Sequence, residues 1–312
     1  MTIKGNYHTH TSFCDGRDTP EQVVEMALRK GFRHLGFSGH MDPGVSMDFP
    51  QYEAEICRLQ DKYQGRLEIL RGVELDNVTG AECAPAVEYA IGSTHFIPIP
   101  GSEIWNRTFG LDEICEDGIN GDQIICVDAS PDVLKSGCER YYDGDYYAMS
   151  QDYYRFEAEV AKRLKPTFIG HFDLITRFND LSPEEGGHFL DERSGRYLQP
   201  AMDAMQSLVA YGIPFEINLG AVNRGRKREP YPRTELLKAL SEMGGEVLLS
   251  SDAHQMEKLD GGFDFSLHEI KACGFRHVNV LTREFSGKPA LNSRALGQGV
   301  VSGPLYWKEI EL

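Results

Sequence analysis

The chain has 312 residues and a formal charge of −16, from 32 basic and 48 acidic side chains. Its length admits one large α/β barrel or two ordinary domains, and 41% hydrophobic residues are enough for a sizeable core, which excludes disorder as the default. The acidic balance argues against general nucleic-acid affinity, since phosphate backbones reward clustered Lys and Arg.

No apolar run approaches membrane-spanning length, and the N-terminal MTIKGNYHTHTS carries no apolar signal region. Cys14, Cys57, Cys83, Cys115, Cys126, Cys138 and Cys273 are dispersed without CxxC spacing. That pattern reads as reduced thiols in a cytoplasmic protein.

In chain order, strand-like runs fall at 4–10, 34–38, 67–75, 89–93, 167–170, 214–218, 246–250 and 277–281. Helix-like periodicity lies between them at 19–30, 52–63, 153–165, 200–211 and 233–243. Pro20 suits a helix start and Gly31 its stop. The alternation predicts parallel strands with helical crossovers. Between about 98 and 150 the rhythm breaks in a stretch rich in Gly, Asp and Tyr, which reads as a loop or lid excursion. A second weak stretch, 182–194, reads as a loop.

Six of the ten histidines, His8, His10, His40, His95, His171 and His254, lie within or just after a strand-like run. Taken singly, each could be a hydrogen-bonded structural histidine. In an α/β barrel, however, strand ends are where chemistry collects. His8 and His10 are two residues apart, so a strand would point both imidazoles to one face. Asp252 and His254 in LLSSDAH repeat that spacing. Imidazoles and a carboxylate aimed together need a cation. Glu74, leaving the run LEILRGVEL, would bridge metal ions, and Asp15 before Gly16 is within loop reach of the first histidines. Asp76 and Asp173 follow Glu74 and His171 by two residues and read as partners orienting the metal-binding side chains.

The ordered segments HTHTSFCDG, FSGH, RGVEL, IGSTH, IGHFDLI, FEIN and SSDAH resemble the PHP (polymerase and histidinol phosphatase) family, most closely its histidinol-phosphatase branch. The resemblance runs from His8 to His254. It implies a single domain over 1–312, a distorted (β/α)7-type barrel with a metal site at the C-terminal ends of the strands and two or three divalent ions (Zn, Mn or Fe). One metal would be held by His8, His10, Glu74 and Asp252. A second would share Glu74 and take His95 and His171; a third would use Asp15, His40 and His254. Two departures bear on substrate choice: Leu219, Gly220 and Ala221 follow FEIN where the branch usually has a small polar residue, and the 98–150 stretch matches poorly.

The implied reaction is phosphomonoester hydrolysis of a small phosphorylated substrate, with neither nucleic acid nor membrane as a partner. Asp252 or His254 would assist proton transfer. Phosphate also calls for guanidinium clamps. Arg177 in HFDLITRF follows a ligand-bearing strand and Arg224 in LGAVNRGRKR lies beyond the FEIN strand, although Arg226, Lys227 and Arg228 make the second assignment ambiguous. The leading expectation is histidinol-phosphate phosphatase. The alternatives are a phosphotyrosine, nucleotide or exonuclease relative, and a barrel that binds metal or phospholigand without turnover. The last would have lost ligands, whereas all nine expected positions are filled.

Overall fold

The computed structural model describes residues 5–45, 47–79, 85–110, 121–291 and 304–312. Its strands are β1 Gly5–Asn6, β2 His34–Met41, β3 Glu68–Asp76, β4 Tyr89–Ser93, β5 Phe96–Pro98, β6 Ile124–Cys126, β7 Phe168–Ile169, β8 Phe215–Asn218, β9 Val247–Ser250, β10 His277–Thr282 and β11 Tyr306–Glu311. Each of the eight expected runs overlaps one of them, although β1 occupies only Gly5–Asn6 of the run at 4–10.

In the main sheet β1, β2, β3, β4, β7, β8 and β9 pair in that order, all parallel. The ring closes just beyond the formal strand ends. There Thr9 bridges Ala253 in parallel register, and His10 N–H donates to Ala253 O at 2.9 Å. With that stretch of the edge taken, β10 meets β9 further back, at Asn279↔Leu248, and turns antiparallel to β11. The barrel is therefore seven-stranded, and the eighth expected run lies outside the ring.

Helices cover the outer face, and two of them do so through a single apolar stripe. Pro20–Arg29 buries Val23, Val24 and Ala27, and its start is set by Pro20 and by a reciprocal capping box between Thr19 and Gln22. Gly195–Val209 buries Tyr197, Ala201, Ala204, Met205 and Leu208. With both faces covered, β3 and β4 are buried along nearly their whole length, as parallel strands require.

The 98–150 stretch is more ordered than its weak periodicity predicts. β5 and β6 form an antiparallel hairpin, and helices occupy Glu103–Gly110, Pro131–Tyr142 and Tyr146–Glu157. Residues 111–120 lie outside the described residues. The last helix buries Ser150 and Glu157 alongside Met149, Tyr153, Tyr154 and Phe156, so no simple polar–apolar stripe marks it. The helix expected at 153–165 is two: Tyr146–Glu157 and Val160–Leu164.

Candidate metal centre

Nine side chains from the ends of six strands, or from the loops that follow them, converge on one point. His8 and His10 follow β1, with ring centroids 5.1 Å apart. Glu74 from β3 sits at the centre, 1% exposed. Its Oε2 lies 3.0 Å from His8 Nε2, 3.5 Å from His10 Nε2 and 3.3 Å from His40 Nδ1. Its Oε1 lies 2.9 Å from His171 Nε2 and 3.4 Å from His95 Nε2, and accepts the Ser93 hydroxyl at 2.7 Å. Asp252 Oδ1 stands 3.8 Å from His8 Nε2 and 3.5 Å from His10 Nε2. Asp15 Oδ2 is 2.9 Å from His254 Nε2 and 3.7 Å from His40 Nε2.

Two glycines permit this convergence. A Cβ on Gly16 would meet the backbone of His10 and Thr11 at 2.4–2.6 Å, so its absence lets the loop fold back and deliver Asp15. A Cβ on Gly220 would meet Asp252 Oδ2 at 2.6 Å and Arg224 Nη2 at 2.8 Å. Asp252 itself has φ of 47°, a left-handed conformation uncommon for a non-glycine residue.

Among the described residues, donor atoms lying within 4.8 Å of one another form four groups: His10, Asp15, His40 and His254; His8, His10 and Asp252; His8, Glu74 and His171; and His40, Glu74 and His95. All nine residues singled out in the sequence appear here. The third set implied by the resemblance stays together. In the second set, His95 and His171 both address Glu74 but group with different neighbours.

The acids of the cluster are answered by charge on its imidazoles. Burial alone would raise the Glu74 carboxyl, yet His8, His40 and His95 hold it well below its ordinary range. Asp252 is likewise held down, by Arg224 and His8 against its burial. Burial disfavours a charged His40, but Glu74 and Asp42 lift it to about 9. His10 falls to about 3 through burial and its neighbours His254 and His40, so it is a neutral imidazole. Its buried Nε2 has no hydrogen-bond partner among the described residues while facing two carboxylates. Ionised acids and one neutral imidazole, whose orphaned nitrogen faces them, fit a divalent ion.

Surrounding acids orient the rings. Asp76 Oδ2 lies 3.1 Å from His95 Nδ1 and accepts the His95 backbone N–H at 2.7 Å, as expected of it. Asp173 does not play that part. Its Oδ1 accepts the hydroxyls of Tyr154 and Tyr197, because the turn after His171 carries it toward the helices. Two orienting acids escaped the sequence reading. Glu216 in β8, fully buried, meets His8 Nδ1 at 2.6 Å and accepts the His171 N–H at 2.8 Å. Asp42 meets His40 Nδ1 at 2.9 Å. Both repeat the two-residue spacing that marked His8 and His10: Glu216 before Asn218, and Asp42 after His40.

The cluster opens into a cavity of about 270 Å³ whose wall carries Arg177, Arg224, Arg226, Asp128 and Leu174. Arg177 Nη1 donates to Asp128 Oδ2 at 2.8 Å. Arg224 Nη2 lies 3.4 Å from Asp252 Oδ2 and Nη1 3.3 Å from the Asp252 carbonyl. Lys227 turns away, donating to Thr176 Oγ1 and O, and the Arg228 N–H is held by Asp180. The remaining histidines lie elsewhere; His34, for example, pairs with Glu68 at 2.9 Å.

Seven parallel strands carrying an acid-and-imidazole cluster at their C-terminal ends define a metal-binding α/β barrel. A family model for the PHP domain matches residues 6–219, and the chain belongs to that family. A Deinococcus radiodurans protein named probable histidinol-phosphatase is 27% identical over 91% of this chain and 99% of its own length. A Bacillus subtilis histidinol-phosphatase is 24% identical over 81% of this chain and 94% of its own. The crystal structure of Lactococcus lactis histidinol phosphate phosphatase, complexed with Zn, L-histidinol and phosphate, superposes with a TM-score of 0.58 at 18% identity. That match covers 94% of this chain and 98% of the other, and it supports the barrel fold.

Proposed function

We propose that this chain is a metal-dependent phosphomonoesterase that hydrolyses L-histidinol phosphate to L-histidinol and phosphate. The observation that carries the reading is the nine-residue cluster opening directly into a cavity walled by arginines. The relatives named for this activity, which align over nearly their full length, support the substrate. Zinc is the ion in the Lactococcus structure.

Two or three divalent ions would be held by His8, His10, Asp15, His40, Glu74, His95, His171, Asp252 and His254. They would supply charge neutralisation for the phosphate and hydroxide near neutral pH. Arg177 and Arg224 would hold the phosphoryl oxygens, each presenting a planar fork of N–H donors. Asp252 or His254, at the mouth of the cluster, would pass a proton to or from the reacting oxygens. Leu174 and the surrounding wall would limit bulk water at the reacting centre.

No helix among the described residues is long and apolar enough to cross a membrane. Free thiols at Cys14, Cys57, Cys126, Cys138 and Cys273 accord with a reducing, cytoplasmic setting.

The test is steady-state phosphate release from L-histidinol phosphate with Zn, Mn or Fe supplied, set against generic phosphomonoesters and single-stranded DNA. L-Histidinol phosphate should have the highest kcat/KM. His10→Ala and Asp252→Ala should lose bound metal and activity together. Arg177→Ala should keep its metal while kcat/KM falls by about 10- to 100-fold, the scale of a lost charged hydrogen bond. Full efficiency in Arg177→Ala would remove the clamp, and preference for another phosphoester would remove the substrate.

A further inference from the structure

The metal centre lies at the C-terminal ends of β2 and β3, and a second hollow, of about 540 Å³, lies where those strands begin. The two strands pair from His34↔Glu68 at this end to His40↔Glu74 at the other, a span of about 20 Å at the usual rise per residue. Arg33, His34, Arg66 and Glu68 form one side of the hollow; Arg283, just beyond β10, and Lys308 in β11 form another. Its lining holds four cationic side chains against two acids, Glu68 and Glu284, although the whole chain carries −16.

Those acids are already engaged. Glu68 Oε2 meets His34 Nδ1 at 2.9 Å and accepts the Thr282 hydroxyl at 2.8 Å, while Oε1 accepts the Arg283 backbone N–H. Burial would raise the Glu68 carboxyl, but these donors hold it below its ordinary range. Arg283 Nη2 donates to Glu88 and to Ile69 O. Lys308 Nζ meets Glu284 Oε2 at 2.7 Å, but both side chains are exposed, and such a pair is readily exchanged for another partner. Arg33 and Arg66 have no ion pair among the described residues. Arg66 is instead held over the Tyr63 ring, 5.3 Å from its centroid.

Two guanidiniums without a carboxylate, the second nitrogen of His34 and the Gln64 amide thus border a hollow of the size that small ligands fill. Planar forks of N–H donors match phosphate oxygens in a bidentate way. We propose that this hollow is an anion site, distinct from the metal centre, that binds the phosphate group of a small molecule. Arg33 and Arg66 grip the phosphate, with His34 and Lys308 at its edge. The site does not depend on the reaction assigned to the metal centre. Free phosphate and a phosphate ester share this chemistry, and the ester adds an organic body for the rest of the hollow.

Equilibrium dialysis of the metal-loaded protein counts labelled inorganic phosphate, and separately AMP, on wild type and on the double variant Arg33→Gln, Arg66→Gln. Both positions are exposed and at the opposite end of the strands from the cluster, so the variant should keep its metal and its kcat/KM on L-histidinol phosphate. Phosphate held by the metal centre is then common to both proteins, and wild type should bind one more per chain. Affinity at that extra site should be at least about tenfold weaker in the variant, the scale of lost hydrogen bonds to a charged group. Tighter binding of AMP assigns the site to phosphate esters, and tighter binding of inorganic phosphate to the free ion; either upholds it. A second measurement uses wild type alone: saturating phosphate should slow amide hydrogen exchange at 64–69 and 282–285. Equal counts on the two proteins overturn the inference, as does unchanged exchange in those segments, and neither result touches the phosphomonoesterase reading. Failure of wild type to hydrolyse L-histidinol phosphate, with the extra phosphate still bound, would remove that reading and leave the anion site standing.

Discussion

Glu216 touches two residues of the cluster at once. One oxygen meets His8 Nδ1 at 2.6 Å, leaving Nε2 to face Glu74; the other accepts the backbone N–H of His171. A carboxylate on the far nitrogen of a metal-binding imidazole fixes the ring and raises its basicity, and losing one costs about 10- to 100-fold in metal affinity. Glu216→Gln should therefore weaken metal binding by about tenfold, since the amide keeps an acceptor but not the charge. Titration in chelator-buffered metal reads this directly, and affinity equal to wild type would show that the contact orients nothing. At this scale the sequence was most informative where residue type and spacing coincide, as in His8 with His10 and Asp252 with His254. Glu216 and Asp42 obey the same spacing rule but sit among ordinary strand acids, where nothing local distinguishes them. Asp128 has no local signature at all, because a hairpin brings it to the cavity. Asp173 shows the converse: the spacing is right, but the turn after His171 sends its carboxylate to Tyr154 and Tyr197.

Strands were easier to read than helices because parallel strands covered on both faces give dense apolar runs. β4 falls on 89–93, as expected. The Tyr146–Glu157 helix stayed hidden because its inward face mixes tyrosines with Ser150 and Glu157. Glu157 has a measurable consequence for that element. Burial lifts its carboxyl to about 8, against the opposing pull of the Thr94 hydroxyl. With the folded pKa above the unfolded one, the folded state holds the proton that the unfolded chain releases. Stability is then fully present below about 4.5 and is lost as pH rises toward 8. Glu157→Gln cannot ionise, so this part of the decline should disappear. At neutral pH the variant should gain up to about 3 kcal/mol relative to wild type, with the two converging near pH 4.5. Urea denaturation across that window tests it. A constant difference between the two proteins at every pH would show that Glu157 does not titrate within it.

The molecule as a whole is a ring of seven strands whose C-terminal ends each deliver, or orient, a polar side chain toward one point. The expected strand runs and the resemblance together carried the barrel, but which strand lies outside it was decided by a pairing far apart in sequence, Thr9 with Ala253. That seam is also where the cluster straddles the closure, with His8 and His10 on one side and Asp252 and His254 on the other. Ions held there would tie the first strand to the seventh, so removing them should cost global stability as well as activity. A ligand present at about 1,000 times its Kd stabilises by about 4 kcal/mol, and each kcal/mol shifts Tm by roughly 2–4 °C in domains of 150–250 residues. Stripping metal with a chelator should then lower Tm by about 10 °C, and adding it back should restore the loss. The metal-dependent increment should shrink on acidification, because neutral imidazoles and ionised carboxylates are the binding forms and protons compete for them. Calorimetry of stripped and reconstituted protein, with elemental analysis of each, measures both effects. An unchanged Tm in protein shown to be free of metal would mean that the seam is held by Thr9, Ala253 and the surrounding core alone.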